Sequence, residues 1–443
     1  MSNVSNQSRM QTPKGVHDLL PDYQQFYTYI KKVMRHRCRQ AGFRRLSTPT
    51  FEYTEVFERG IGSDTDIVSK EMYTFLDKGG KSMTLRPELT AGVVRAYLQH
   101  GMKTLPQPVE LYSIEPVFRY DRPQKGRFRQ FHQLNVEVIG EKDPAIDAQL
   151  IELGWKIMQD LGIDHILEVH INSIGCNSDN CRPKFISDLK DYYIGKERSL
   201  CENCKSRLES NPMRLLDCKH EDCQILAGMA PKLSDYICAE CKDFHQDVLE
   251  YLDEFGIPYK NNLGIVRGLD YYTNTVFEFW DKTLGAQNAV LGGGRYDGLI
   301  ELMGGEPTPA VGWAAGVERI IANMKAENVD VPCKDDIHVF VAQLGKEAKK
   351  KCLPIIRRLR DAGIKTVGAL GKGSIKAQMR LADKFNVPQT LILGLTEVRE
   401  NRIILRDMEK GSQKYISIDD VVEEVIKVIG KENLDLYTPG ELI

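Results

Sequence analysis

The chain has 443 residues, of which 42% are hydrophobic and 28% charged, with a formal net charge of −2. This length exceeds one hydrophobic core and predicts two or three domains. The near-neutral charge excludes nucleic-acid binding driven by bulk charge, so such binding would need a local basic patch. The absence of a long apolar run excludes a membrane-spanning helix.

The amino-terminal stretch MSNVSNQSRMQ is polar and lacks the apolar segment of a secretory signal. We expect residues 1–10 to be a short disordered lead. Eleven cysteines, an odd number that includes C-x-x-C pairs, favour free thiols or a metal over disulfides. Together these features predict a cytoplasmic protein without a membrane partner.

The first predicted elements are a helix and a broken strand. Apolar residues recur with helical spacing over residues 22–41, and FRRLSTPTFEY then predicts a strand interrupted by Pro49. MTLRPELTAGVVRAYLQHG begins extended, turns at Pro87 and becomes a helix that ends at Gly101. Thr90 precedes the helix closely enough to cap it, whereas Glu88 could instead bind an ammonium group.

A predicted hairpin follows, with VELYSIEPVFRY and QFHQLNVEVIG as its strands. Strand alternation puts Gln133, Asn135 and Glu137 on one face, which can select a ligand by hydrogen bonding. The connecting loop concentrates positive charge, and a ligand with several phosphates would offset the repulsion. The alternative is that this loop is solvated and binds no ligand. The basic residues of the loop are Arg119, Arg122, Lys125, Arg127 and Arg129.

After a predicted helix in DAQLIELGWKIMQDLGI, the composition changes. Residues 176–245 hold eight of the eleven cysteines and have a mostly helical pattern. Strand patterns resume at GIVRGLDYYTNTVFEFW and NAVLGGGRYDGLI, so the cysteine-rich segment is predicted to be an insertion. LGGGRYDGL predicts a tight turn, and GWAAGVERIIANMKA predicts a closing helix. If the adjacent Tyr271 and Tyr272 lie on a strand, at most one of them lines a given pocket.

The insertion contains two C-x-x-C pairs that could close one tetrahedral zinc site. They are Cys201 with Cys204 and Cys238 with Cys241. Cys176, Cys181, Cys218 and Cys223 are competing ligands. The alternative is a helical insertion with buried free thiols.

Beyond residue 332 strands and helices alternate, which predicts a small α/β domain with a largely parallel sheet. Its first helix, in KEAKKKCLPIIRRLR, is rich in lysine and arginine. Phosphate contact and a solvated helix face are both compatible with this pattern.

Six stretches along the chain resemble histidyl-tRNA synthetases of the bacterial type. TPTFEY resembles motif 1 of class II aminoacyl-tRNA synthetases, the strand–loop–strand through RPQKGRFRQFHQ resembles motif 2, and GVERI resembles motif 3. LRPELTA and VRGLDYYTNTVFE are similar to the histidine-specific stretches, and PKGVHDLLP is similar to that family's opening. The resemblance spans roughly residues 10–430.

The resemblance implies the fold and the domains. We expect an antiparallel catalytic sheet flanked by helices, formed by residues 11–175 and 246–331. Residues 176–245 are the expected helical insertion, near the tRNA acceptor arm, and residues 332–443 the anticodon-binding domain. Motif 1 implies a homodimer.

The resemblance also implies the activity: ligation of L-histidine to tRNA(His) through histidyl-adenylate, with ATP as substrate and Mg²⁺ as its cation. Arg267 and Arg119 are the expected catalytic residues at the α-phosphate. Arg119, Arg127 and Arg319 are expected to bind ATP. The expected histidine-binding residues are Glu88, Thr90, Gln133, Glu137, Tyr271 and Tyr272. Any zinc would be structural, because the family's chemistry does not need it.

Two alternatives come from related proteins. One is a catalytically silent relative, the regulatory subunit of ATP phosphoribosyltransferase, which usually lacks the anticodon domain and the RGLDYY arginine. The other is a class II synthetase for threonine, proline or glycine. This chain keeps both the C-terminal domain and the arginine, which argues against the first alternative, and VRGLDYYTNTVFE argues against the second.

Overall fold

The computed structural model describes residues 10–62, 65–123, 126–216, 218, 220–283, 289–332, 336–371 and 373–436. The chain divides into two compact units, Met1–Cys333 and Lys334–Ile443. Of the predicted lead, only its last residue is described. Within the described ranges no helix combines the length and apolar character needed to cross a membrane.

The first unit contains eleven strands and ten α-helices in its described part. The strands are β1 (Arg44–Arg45), β2 (Phe51–Tyr53), β3 (Tyr73–Leu76), β4 (Ser82–Leu85), β5 (Val109–Phe118), β6 (Gln130–Ile139), β7 (Leu167–Ser173), β8 (Tyr259–Asn261), β9 (Thr273–Asp281), β10 (Ala289–Arg295) and β11 (Ala310–Gly316). The helices are α1 (Pro21–Gln40), α2 (Thr54–Ile61), α3 (Thr90–Gln99), α4 (Pro144–Asp160), α5 (Arg182–Tyr193), α6 (Glu202–Ser210), α7 (Glu221–Gly228), α8 (Ala239–Glu254), α9 (Leu299–Leu302) and α10 (Val317–Ala326).

Eight of these strands form the central sheet, in the order β1-β5-β6-β11-β10-β9-β7-β8. Its inner pairs are antiparallel, and only the outermost pairs, β1–β5 and β7–β8, are parallel. A second sheet has the order β2-β4-β3. The predicted antiparallel sheet flanked by helices is therefore confirmed.

The main core lies between one face of this sheet and the helices α1, α4 and α10. Ile30 and Met34 of α1 are buried there with Trp155 of α4 and Trp313 of β11. The amino terminus of helix α4 is stabilised in two ways. Asp143 accepts the amide N–H of Ala145, and Pro144 in the first turn has no N–H that needs a partner. The opposite face of β6 is thus free to present its polar residues to a ligand.

Two local predictions in the first unit are wrong in part. The first part of GWAAGVERIIANMKA is the strand β11, not helix, and the glycines Gly292–Gly294 of LGGGRYDGL belong to β10, with the turn only after them, at Asp297 and Gly298. Both strands are poor in β-branched residues, which weakens their local strand signal. Both strands nevertheless form, because each lies in the centre of the sheet and is hydrogen-bonded to a neighbouring strand on either side.

The second unit contains β12 (Val339–Gln343), α11 (Lys346–Asp361), β13 (Thr366–Gly368), α12 (Ile375–Lys384), β14 (Gln389–Leu393), α13 (Leu395–Arg399), β15 (Arg402–Asp407), β16 (Gln413–Ser417) and α14 (Val421–Ile429). Its sheet has the order β13-β12-β14-β15-β16. The first three strands are parallel, as predicted, but β15 and β16 form an antiparallel hairpin. The sheet is therefore mixed.

Candidate active site

Two connected cavities lie on the polar face of the central sheet. The outer cavity has a volume of about 520 Å³ and the inner cavity about 150 Å³. Residues that line both include Arg119, Gln133 and Arg267, so the two cavities meet there. The structure therefore brings the polar face of β6 together with the arginines of distant segments.

The outer cavity carries an excess of positive charge. Its walls include six arginines and four carboxylates, which leaves a surplus of two positive charges. The arginines are Arg119, Arg127, Arg207, Arg214, Arg267 and Arg319, and the carboxylates are Asp66, Glu71, Asp121 and Glu318. Such a surface favours a polyanionic ligand.

The loop between β5 and β6 places only some of its arginines in this cavity. Arg119 donates from Nε to the Pro87 carbonyl at 2.8 Å, and Arg127 donates to the Asp121 carboxylate at 2.9 Å. Arg129 instead stacks on Tyr120, with its guanidinium carbon 3.9 Å from the ring centre. Arg122 is exposed, and Lys125 lies outside the described residues.

Arg319 projects from α10 into the same cavity, and it donates to the Ala289 carbonyl. Burial lowers the pKa of its guanidinium, and the nearby charges of Arg127 and Arg119 lower it further. The arginines therefore destabilise one another's charged forms, which is the situation an anionic ligand relieves. The neighbouring Glu318 already has a partner, because its carboxylate accepts the amide N–H of His132 at 3.0 Å.

Arg267 lies where the two cavities meet. It forms an ion pair with Glu278, and its guanidinium carbon is 5.3 Å from the ring centre of Tyr272. Burial opposes its charge, but Tyr272 and Glu278 outweigh this effect and raise the pKa of Arg267. Its Nε has no hydrogen-bond partner among the described residues, so one donor is left for a ligand.

Glu137 is the central group of the inner cavity. Its carboxylate accepts hydrogen bonds from Thr90 Oγ1 at 2.6 Å, from Asn135 Nδ2 at 3.0 Å and from the Tyr296 hydroxyl. Burial raises the pKa of Glu137 to about 7, although these three donors lower it. Near neutral pH the group can therefore be either proton donor or acceptor.

Glu88 can fill both roles that the sequence suggested for its segment, a helix cap and an acceptor for an ammonium group. Its two carboxylate oxygens accept the amide N–H groups of Thr90 and Ala91, at 2.6 and 2.8 Å. Glu88, and not the Thr90 hydroxyl, thus caps helix α3. Each carboxylate oxygen retains a second lone pair, so the same group can also accept from an ammonium. Burial raises the pKa of Glu88.

The side chains of Tyr271 and Tyr272 both line the inner cavity, so the prediction that at most one would do so is wrong. Strand β9 begins only at Thr273, and the two tyrosines precede it; strand alternation therefore does not apply to them. Their ring centres are 4.7 Å apart. Burial raises the pKa of both phenols, which keeps them neutral hydrogen-bonding groups.

Gln133 and two glycines complete the walls. The side-chain oxygen of Gln133 is buried and has no partner among the described residues, so it is an acceptor for a ligand. A Cβ at Gly312 would overlap the Glu137 carboxylate, and one at Gly292 would overlap the Arg267 guanidinium. These glycines leave room for both side chains.

Several cavity residues were not identified from the sequence. Arg207 and Arg214 come from the cysteine-rich insertion; Arg207 donates to Asp66 at 3.0 Å, and Arg214 lines the cavity beside it. No local pattern distinguishes them from solvated arginines. Tyr296 was also missed, although its place directly after the glycine-rich strand was a usable signal.

The predicted four-cysteine zinc site does not form, because its two pairs belong to different clusters. Cys238 and Cys241 meet Cys176 and Cys181, whereas Cys201 and Cys204 meet Cys218 and Cys223. The helices of the insertion keep the two C-x-x-C pairs apart. The residues considered as competing ligands are therefore the true neighbours.

Comparisons with known proteins find relatives over nearly the whole chain. The family model for histidyl-tRNA synthetase matches residues 15–320, and an anticodon binding domain model matches residues 338–428. The chain is 45% identical over 421 residues to a histidine–tRNA ligase of Halothermothrix orenii, covering 95% of this chain and 100% of the relative. It is 45% identical over 419 residues to one of Dehalococcoides mccartyi, with 95% and 100% coverage.

Among solved structures, the apo histidyl-tRNA synthetase of S. aureus is similar with a TM-score of 0.79 and 33% sequence identity. The match covers 94% of this chain and 99% of that one. The similarity thus extends through both units.

Proposed function

The chain belongs to the histidyl-tRNA synthetase family and is a histidine–tRNA ligase; from this premise we propose that the inner cavity binds histidine and the outer cavity binds ATP. The observation that carries the proposal is their junction at Arg119 and Arg267. A carboxylate of bound histidine and the α-phosphate of ATP would meet there, between two guanidinium groups. Charge neutralisation and positioning are what this reaction needs most.

In the inner cavity we assign histidine recognition to six residues. Glu137 and Tyr272 are proposed to contact the two imidazole nitrogens. The α-ammonium is assigned to Glu88 and Thr90, with the unpartnered oxygen of Gln133 beside them. Tyr271 packs between Tyr272 and Tyr296, with ring centres 4.7 and 5.6 Å away, and shapes the pocket.

In the first step the histidine carboxylate attacks the α-phosphorus, the bond to the β-phosphate oxygen breaks, and pyrophosphate leaves. We propose that Arg119 and Arg267 neutralise charge at the α-phosphate. Arg127 and Arg319 then hold the leaving phosphates. Mg²⁺ would be held mainly by phosphate oxygens, and the carboxylates of Glu71 and Asp121 on the cavity wall are of the type this cation prefers.

The assignment of Arg319 predicts a selective loss of ATP affinity. We expect Arg319→Ala to raise the KM for ATP by roughly 10–100-fold, the effect of losing a charged hydrogen-bond donor. The KM for histidine should change little. Pyrophosphate exchange at varied concentrations of each substrate measures both constants. The exposed Arg122 of the loop between β5 and β6 offers a control, Arg122→Ala, and equal rises in both KM values would contradict the assignment.

We also propose a homodimer, supported by an apolar surface on the smaller sheet. Phe51 and Tyr53 of β2 are 51% and 50% exposed, and Phe75 and Leu76 of β3 are 45% and 71% exposed. The rings of Phe51 and Phe75 are 6.3 Å apart. Exposed apolar residues grouped in this way are typical of protein interfaces, and β2 lies in the stretch that resembles motif 1.

Sedimentation velocity tests the dimer directly. We expect a particle of twice the 50.3 kDa chain mass. A double variant, Phe51→Asp with Phe75→Asp, should shift the protein toward the single-chain mass because charge replaces apolar contact. A wild-type protein that sediments only as the single chain at assay concentration would contradict the proposal.

The domain roles follow the same premise. We propose that residues 11–175 and 246–331 are catalytic, that residues 176–245 face the tRNA acceptor arm, and that residues 332–443 bind the anticodon of tRNA(His).

We also propose a cytoplasmic location, where tRNA charging supplies translation. A zinc ion in the insertion would be structural, since no cysteine lines the described walls of either cavity.

The regulatory relative considered from the sequence is not favoured. It usually lacks an anticodon domain and the RGLDYY arginine. This chain matches an anticodon domain over residues 338–428, and its Arg267 lies at the junction of the cavities.

A further inference from the structure

Two groups of four cysteines lie in or next to the insertion. Quartet I consists of Cys176, Cys181, Cys238 and Cys241, and quartet II of Cys201, Cys204, Cys218 and Cys223. Within each quartet the four sulfur atoms lie within 4.8 Å of one another. Each quartet combines one C-x₄-C pair with one C-x₂-C pair. The same ligand pattern therefore occurs twice.

The sulfur separations match a single tetrahedral ion. Cys176 Sγ and Cys238 Sγ are 3.9 Å apart, and Cys201 Sγ and Cys218 Sγ are 3.8 Å apart. A disulfide requires about 2.05 Å. Four thiolates each about 2.3 Å from one Zn²⁺ are about 3.8 Å from each other.

Helix amino termini surround both quartets. Cys181 and Cys238 immediately precede helices α5 and α8, and Cys201 immediately precedes α6. Cys204, Cys223 and Cys241 lie in the first turns of α6, α7 and α8. The positive end of a helix dipole favours the thiolate form that a metal requires.

Hydrogen bonds and arginines supply a matching outer shell. In quartet II, Cys223 Sγ accepts the Cys201 amide N–H at 3.3 Å, and Cys218 Sγ accepts that of His220 at 3.4 Å. Arg182 is near enough to interact electrostatically with Cys181 and Cys176 of quartet I, and Arg207 with Cys204 and Cys218 of quartet II. An arginine near each quartet is favourable, because four thiolates around Zn²⁺ leave an excess of negative charge.

We propose that this protein binds two structural Zn²⁺ ions, one in quartet I and one in quartet II, each through four cysteine thiolates. The inference goes beyond the ligase activity and rests on the cysteine geometry, so it stands or falls independently of the reaction. Neither quartet has a fifth described ligand or an open position for substrate, which is the arrangement of structural zinc sites.

The two ions would fix both cavities from the side of the insertion. Arg182, next to Cys181, donates to the backbone carbonyl of Tyr272, which links quartet I to the histidine pocket. Helix α6 starts at quartet II and carries Arg207 to Asp66 in the outer cavity. Loss of either ion should therefore loosen a cavity wall without removing a ligand-binding atom.

Metal analysis of the purified full-length protein tests the proposal. We expect two equivalents of zinc per chain by elemental analysis and no stoichiometric iron. Titration of the folded wild-type protein with a mercurial reagent should release both ions, detected with a chromogenic chelator, as eight thiols react. After metal exchange, Co²⁺ should produce the visible and thiolate charge-transfer bands of tetrahedral four-sulfur coordination, saturating at two equivalents.

Single substitutions separate the two sites. Cys241→Ser and Cys204→Ser should each retain about one zinc, whereas the controls Cys38→Ser and Cys352→Ser, at buried cysteines outside the quartets, should retain two. A wild-type protein with less than about a fifth of an equivalent of zinc would overturn the proposal. One equivalent only, or iron in place of zinc, would overturn it equally, and none of these readouts depends on enzyme activity.

Discussion

Replacing Arg267 by alanine should lower the rate of histidyl-adenylate formation by roughly 100-fold or more, the typical effect of removing a preorganised charge from a reaction centre. Arg267 is half-buried at the junction of the two cavities, where the α-phosphate is proposed to lie. Its pKa is raised by Tyr272 and Glu278 despite burial, so it is always charged. Single-turnover formation of the adenylate measures the loss.

Two further variants distinguish catalysis from a packing effect. Arg267→Lys retains the charge but not the planar donor group, so an intermediate rate is expected. Arg122→Ala removes an exposed arginine and should leave the rate unchanged. Thermal unfolding of Arg267→Ala establishes that the variant is folded. Near-wild-type turnover by a folded Arg267→Ala would refute its catalytic role.

Replacing Glu137 by glutamine should lower kcat/KM for histidine by roughly 30–1,000-fold. The expected loss is large because the substitution leaves buried hydrogen-bonding groups of the pocket without a partner, which costs binding free energy. Glutamine keeps the shape but cannot accept from Thr90, Asn135 and Tyr296 as a carboxylate does. The KM for ATP should change much less. Asn135→Ala, which removes one donor to Glu137, should have a smaller effect, and an unaltered kcat/KM in Glu137→Gln would contradict the assignment.

The same variant has a predictable effect on stability. The folded pKa of Glu137, about 7, lies above the ordinary value of 4.5, so the folded protein holds this proton more tightly than the unfolded chain. The group therefore stabilises the fold fully below pH 4.5, and this contribution is lost as the pH rises through about 7. Urea unfolding between pH 5 and 8 should show a decline in the wild type that is smaller in Glu137→Gln. An identical decline in both proteins would mean that Glu137 titrates near its ordinary value.

Strand periodicity was enough to predict the polar wall of the site. Gln133, Asn135 and Glu137 project to one side because β6 is regular over its whole length. The same rule misled for Tyr271 and Tyr272, which lie before the strand and not on it. Local chemistry also predicted a cap near Glu88, but not that the carboxylate itself would supply it.

Features that depend on distant segments could not be obtained from local patterns. Arg207 reaches Asp66 across 141 residues of sequence, and β11 is a strand only because β6 and β10 flank it. The cysteine spacing likewise favoured a single metal site made of the two C-x-x-C pairs. In the structure each C-x-x-C pair instead lies beside a C-x₄-C pair. The position of Arg267 was expected only from the family resemblance, because nothing in its local sequence indicates a cavity.

Amino-acid-dependent exchange of pyrophosphate into ATP, run with each of the twenty amino acids, tests the central claim most directly. We expect exchange with histidine alone, because Glu137 and Tyr272 are assigned to the imidazole and Arg119 and Arg267 to the reacting phosphate. Exchange with a different amino acid would contradict the assignment of the inner cavity. A folded protein without exchange for any amino acid would contradict the catalytic role of the arginines.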